Sequence, residues 1–228
     1  MTDKTATYQK LVARRKACRA CESLGLTNPS ACAGGQFDTD HIGPWTTWYG
    51  NLDADIIIIG QDWGGQDYFL KNHGADTDDN PTNSNLQTLL ASVGYPIALQ
   101  HQPQVSIKLF FTNAVLCLKS GGLTGPVKAA CFRECGSEFL KPQIELVQPK
   151  VVVTLGFGAY KAVMRVYGLR PLPSMREAVQ TSEVLGSSDL VPVYHCGKLG
   201  TMSRSLPEQI LDWKRVAAAL EKRTSLKQ

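Results

Sequence analysis

An acid, an amide and an imidazole follow three apolar runs in this chain. Residues 55–59 open onto Gly60-Gln61-Asp62-Trp63-Gly64, residues 109–111 onto Thr112-Asn113, and residues 190–194 onto His195. As neighbouring parallel strands, these runs would bring Asp62, Asn113 and His195 to one crevice, the place where open α/β sheets bind ligands. Each residue has an ordinary alternative: Asp62 as a helix cap, Asn113 as a turn residue, His195 as a satisfied strand-end histidine. Three strand ends carrying compatible groups favour a shared site over three coincidences.

Seven cysteines, at 18, 21, 32, 117, 131, 135 and 196, form the second group able to do chemistry. Disulfides are not expected in a cytosolic protein, so metal is the natural alternative. Cys18 and Cys21 form a C-x-x-C pair that can present two thiolates to one centre, and Cys117 with Cys131 or Cys135 offers a second pair. Four thiolates from two distant segments suit a [4Fe–4S] cluster, with structural zinc and unligated buried thiols as the alternatives.

The elements that must position these groups follow from periodicity. A chain of 228 residues with 43% hydrophobic content suits a single α/β domain spanning 1–228. Residues 55–59, 107–111, 151–155 and 190–194 lack polar alternation, as strands covered on both faces should. Helices are expected over 5–19, 83–93, 127–146, 158–167 and 207–222, the last with Ile210, Leu211, Trp213, Val216, Ala217 and Leu220 on its core side. Segments 24–49 and 168–188 read as connections. Strands separated by helices imply right-handed parallel crossovers, hence a three-layer α/β/α sandwich around a central four-stranded parallel sheet.

Charge is unevenly spread around a net +4. Nine Asp lie in 38–80 against the single Lys71, while Lys4, Lys10, Arg14, Arg15, Lys16 and Arg19 cluster early and Lys198, Arg204, Lys214, Arg215, Lys222, Arg223 and Lys227 late. That distribution suits phosphate contacts, or else solvated helix faces. No apolar run approaches the roughly 20 residues that span a bilayer, and residues 1–16 are too charged for a secretory signal, so a cytoplasmic protein without membrane contact is expected.

Taken together, these residues resemble the uracil-DNA glycosylase superfamily, and within it the iron–sulfur, family 4-like branch. The likeness covers most of the chain in family order: Cys18-x-x-Cys21, the strand ending at Gly60-x-x-x-Gly64, Phe111-Thr112-Asn113-Ala114-Val115-Leu116-Cys117, and KPQIELVQPKVVVTLG over 141–156. The resemblance selects Cys135 over Cys131 as the fourth cluster ligand. Three departures stand out. Gly60-Gln61-Asp62 is similar to the Gly-Gln-Asp motif of family 1, and Gly64 falls where family 1 carries a tyrosine that obstructs the thymine methyl. The aromatic residue that stacks on uracil in the iron–sulfur branch has no counterpart in 76–82, which leaves Trp63, Tyr68 and Phe69 as alternatives. The His-Pro-Ser-like motif is His195-Cys196-Gly197, followed by Lys198 and by Leu199 at the place of the DNA-wedging leucine.

The resemblance implies excision of uracil from DNA by hydrolysis of the N-glycosidic bond, a base excision repair step carried out by a monomer at the nucleoid. Asp62 and His195 would be catalytic, Gly60, Gln61, Trp63, Gly64 and Asn113 would hold the base, and Lys198, Leu199 and Arg204 would contact DNA. Cys18, Cys21, Cys117 and Cys135 would bind the [4Fe–4S] cluster. With no lysine expected near the three strand ends, the strand would be left uncut at the abasic site. The alternatives are a non-catalytic or trapping DNA-binding member, and a glycosylase for deaminated purines or mismatched thymine.

Overall fold

The computed structural model describes residues 3–100, 107–120 and 125–226; His101, Lys227 and the Gly-containing residues 121–124 lie outside them. In chain order the elements are α1 (Lys4–Ala17), β1 (Leu26–Thr27), β2 (Ile56–Asp62), α2 (Gln66–Lys71), α3 (Pro81–Ala91), β3 (Leu109–Val115) and β4 (Leu118–Lys119). There follow α4 (Ala129–Cys135), a π-turn (Gly136–Leu140), α5 (Lys141–Val147), β5 (Val151–Leu155), α6 (Gly156–Val166), α7 (Met175–Ala178), β6 (Glu183–Leu185), β7 (Ser188–Val193), α8 (Lys198–Ser203) and α9 (Leu206–Ser225).

The sheet has five strands in the order β3-β2-β5-β7-β6. Four are parallel, as expected, and β6 adds an antiparallel edge through Glu183↔Leu190 and Leu185↔Ser188. This corrects the four-stranded expectation: segment 168–188 contains a helix and a strand, and Gly186 at φ 60° makes the tight turn between β6 and β7. Side chains alternate across the sheet with period two. Ile57, Ile59, Phe110 and Val152 pack with α1, the α4–α5 segment and α6, while Ile56, Ile58, Leu109, Phe111, Val151 and Val153 pack with α3, α9 and the aromatic group Trp45, Trp48 and Tyr49. Those three aromatics close on Phe111 at ring separations of 4.8, 5.4 and 5.2 Å. They pack against the sheet.

The chain leaves β2 for β3 on one side and returns to β5 on the other, so a topological switch point lies at the carboxyl end of β2. Asn113 is inside β3 rather than beyond it: the strand runs on to Val115, with Gly60↔Asn113 and Asp62↔Val115 in register. Separately, β1 and β4 form a two-residue antiparallel ladder, Leu26↔Lys119 and Thr27↔Leu118. No helix among the described residues is long and apolar enough to cross a membrane.

Candidate active site and cysteine centre

The end of β2 carries the first functional group. Asp62 Oδ1 lies 2.8 Å from Lys119 Nζ, with the two side chains 6% and 5% exposed, and Gln61 Nε2 donates to Asp62 Oδ2 at 2.8 Å. Both carboxylate oxygens are therefore held, one by charge and one by an amide. Two glycines make room for this packing: a Cβ on Gly60 would sit 2.6 Å from Asn113 Nδ2, and one on Gly158 only 1.9 Å from Gln61 Oε1. Nothing in the residue pattern marks Lys119, and the expectation that no lysine stands near the strand ends is overturned. Lys119 reaches Asp62 only because the β1–β4 ladder carries it there.

His195 follows β7. Its Nδ1 accepts a hydrogen bond from the Gly197 backbone N–H at 3.0 Å, which leaves the proton of a neutral ring on Nε2. Although the residue opens onto a cleft, desolvation between its walls lowers its pKa below the usual imidazole value, against an upward pull from Asp62. The hydrogen bond and the pKa shift favour the same neutral, Nε2–H form. The helix that follows is pressed onto this residue: a Cβ on Gly200 would meet the His195 carbonyl oxygen at 1.7 Å, so α8 approaches only because position 200 has no side chain.

These groups share one cleft of about 670 Å³. Gly60, Gln61, Asp62, Trp63, Gly64, Asn113, His195, Lys198 and Leu199 all line it, so three distant segments converge as their spacing implied. Leu199 is 68% exposed at its edge and is not part of the core. Of the candidate stacking rings, Phe69 is fully buried behind Trp63, whereas Trp63 and Tyr68 are on the wall, joined by Trp45 and by Phe157, which the sequence did not single out. Asp76 is on the wall as well, accepting from Tyr68 Oη at 2.8 Å and Asn80 Nδ2 at 2.9 Å, its pKa raised by burial.

Arg204 does not line the cleft. It is bound to Asp212 through Nε at 2.9 Å and Nη2 at 2.8 Å, and to Glu208 at 3.2 Å. Much of the remaining basic charge is likewise paired: Lys4 with Asp53, Arg14 with Glu138, Arg15 with Asp38, Lys16 with Asp40, Arg19 with Glu22, and Lys222 and Arg223 with Asp189. The Asp-rich segment thus neutralises part of the early basic cluster, an intramolecular use that composition alone could not distinguish from phosphate binding.

On the far side of β4, Cys18, Cys21, Cys117 and Cys135 line a second, small cavity with Arg15 and Asn28. Cys131, one helical turn before Cys135, is buried in the same cluster. Hydrogen bonding from Cys135 and burial raise the Cys21 thiol, burial raises Cys117 to about 12, and burial with Cys21 raises Cys131 to about 11. Thiolates are costly here without a nearby cation, and iron or zinc supplies that charge. Among the described residues, no three His, Cys, Asp or Glu are close enough to share one metal ion. A four-iron cubane separates its cysteine sulfurs more widely than a mononuclear site, and thiol donors from two segments fit its chemistry. Cys32 and Cys196 are buried elsewhere, Cys196 with its Sγ 3.4 Å from the Thr82 carbonyl.

The family described as the Uracil DNA glycosylase superfamily matches residues 47–217. That span runs from the aromatic group before β2 into α9 and includes every residue named in the cleft except Trp45. No curated protein matches the chain.

Proposed function

The chain belongs to the Uracil DNA glycosylase superfamily, a family of DNA-repair glycosylases, and on that premise we propose that it excises uracil from DNA by hydrolysing the N-glycosidic bond. One observation carries the reading: Asp62 on β2, Asn113 on β3 and His195 just past β7 open into a single cleft. Departure of the base builds positive charge on the sugar and negative charge on uracil. Neutral His195, with its donor fixed on Nε2, hydrogen-bonds uracil O2 where that negative charge develops. Asp62 orients the attacking water at C1′, and Asn113 accepts from N3–H while donating to O4, a pattern that cytosine inverts. The nucleotide must leave the duplex to reach these groups, with Leu199 filling the vacated space and Lys198 meeting phosphate.

In this reading Lys119 is committed to Asp62 and is not a nucleophile, since an ammonium has no lone pair to offer. Excision then leaves an intact strand with an abasic site. The same reading gives Cys18, Cys21, Cys117 and Cys135 to a [4Fe–4S] cluster, as in the iron–sulfur branch, with Cys131 as the substitute for Cys135. When bound, the cluster would cross-link the segments around α1, β4 and α4. The large cleft and the absence of a side chain at Gly64 also favour a wider base range, so hypoxanthine, xanthine and mismatched thymine belong in the same assay.

Multiple-turnover release of free base from a labelled oligonucleotide tests the function. Uracil release that falls by about 100-fold or more in both Asp62→Asn and His195→Ala is expected, the size of effect seen when a general-base or oxyanion-stabilising group is removed. Binding without turnover by wild-type protein would instead establish the non-catalytic reading.

A further inference from the structure

Resting on the excision reading above, we propose that Lys119 is a positioning residue: it holds the Asp62 carboxylate at its working angle and is itself set in place by the chain leaving the cysteine centre. Its backbone joins the two regions. Lys119 N–H donates to the Gly64 carbonyl at 3.0 Å, in the loop just past Asp62, while Lys119 pairs in register with Leu26, whose own N–H donates to the Cys21 carbonyl at 3.1 Å. Lys119 also lies two residues after Cys117. The cysteine-bearing segments on both sides therefore determine where this ammonium stands.

The side chain completes the argument. With Lys119 Nζ on Oδ1 and Gln61 Nε2 on Oδ2, the carboxylate cannot rotate without losing one of these partners. At 2.8 Å, the ammonium also offsets much of the carboxylate charge felt by more distant atoms. A free carboxylate would stabilise the sugar cation through space, but a carboxylate so paired acts chiefly by accepting a hydrogen bond from water in a fixed direction. Removing the ammonium leaves a buried, one-sided carboxylate that is free to turn.

Four variants test the proposal: Lys119→Met, Lys119→Arg, Asp62→Asn and the double Lys119→Met/Asp62→Asn. Single-turnover excision in Lys119→Met should fall about tenfold or more with uracil-DNA affinity within about twofold of wild type, Lys119→Arg should recover most of the rate, and the double variant should be no slower than Asp62→Asn. A wild-type rate in Lys119→Met, or losses that multiply in the double variant, would overturn it. So would borohydride trapping of DNA on Lys119, which would make the residue a nucleophile. A second readout is independent of activity: the Asp62 carboxyl ¹³C resonance should move in Lys119→Met and stay in Lys119→Arg, and an unmoved resonance refutes the clamp. If Lys119→Met does not fold, Lys119→Gln carries the same comparisons. Wild-type protein that releases no base refutes the excision reading, leaving the resonance to judge the clamp.

Discussion

Protonating His195 at Nδ1 would set two N–H groups against each other, because the Gly197 N–H already points at that nitrogen. The folded pKa is depressed by desolvation, so the neutral ring persists below its ordinary value of about 6.5 and is lost only as pH falls through the lowered pKa. Excision should be level above about pH 6.5 and decline on further acidification; a rate that climbs with acid would assign catalysis to the imidazolium. At this scale the sequence was informative where a functional residue follows a long apolar run, as Asp62, Asn113 and His195 do. It was silent on Lys119, whose place depends on a ladder between residues 26 and 119. Two-residue strands leave no periodic trace. Gly158 and Gly200 were equally hidden, because a close approach from another segment has no local signature.

The connection after α1 is held by a buried ion pair as well as by its apolar residues Leu26, Ile42 and Trp48. Arg15 donates from Nη1 to both Asp38 oxygens at 2.6 and 2.8 Å and from Nη2 to the carbonyls of Thr39 and His41, with the two side chains 1% and 5% exposed. Arg15→Met strands the Asp38 carboxylate in the interior and should cost about 3–5 kcal/mol of stability, read from urea unfolding. A loss below about 1 kcal/mol would mean that solvent reaches Asp38. The four parallel strands were legible because burial on both faces demands apolar runs, clearest in the Ile run of β2 and the Val run of β5. β6 was not, being three residues long with Val184 turned outward. In α9, the apolar count was wider than the buried stripe: Leu211 is 58% exposed, while Gln209 and Asp212 take buried positions, Asp212 through its pair with Arg204.

For the molecule as a whole, so many internal ion pairs imply a modest electrostatic grip on DNA. Lys16→Ala should leave DNA affinity unchanged, whereas Lys198→Ala should weaken it and reduce the slope of log K against log salt by about 1, measured by anisotropy across a salt series. Equal effects from both variants would restore the basic face as a binding surface. Protein purified without air should carry about four irons per chain if the cysteine centre is a cubane. Cys117→Ala should lose them, and Cys135→Ala decides whether Cys131 takes over; zinc or empty thiols in wild type would end the cluster reading. The crowding of α8 onto His195 has a further result. Leu199 and the imidazole share one short peptide segment, with Gly197 and Gly200 as its two points of abutment. A shift of this segment would therefore move the exposed Leu199 side chain and the His195 ring together. Gly200→Ala should push α8 off the His195 carbonyl, lowering the melting temperature and the rate of uracil release together.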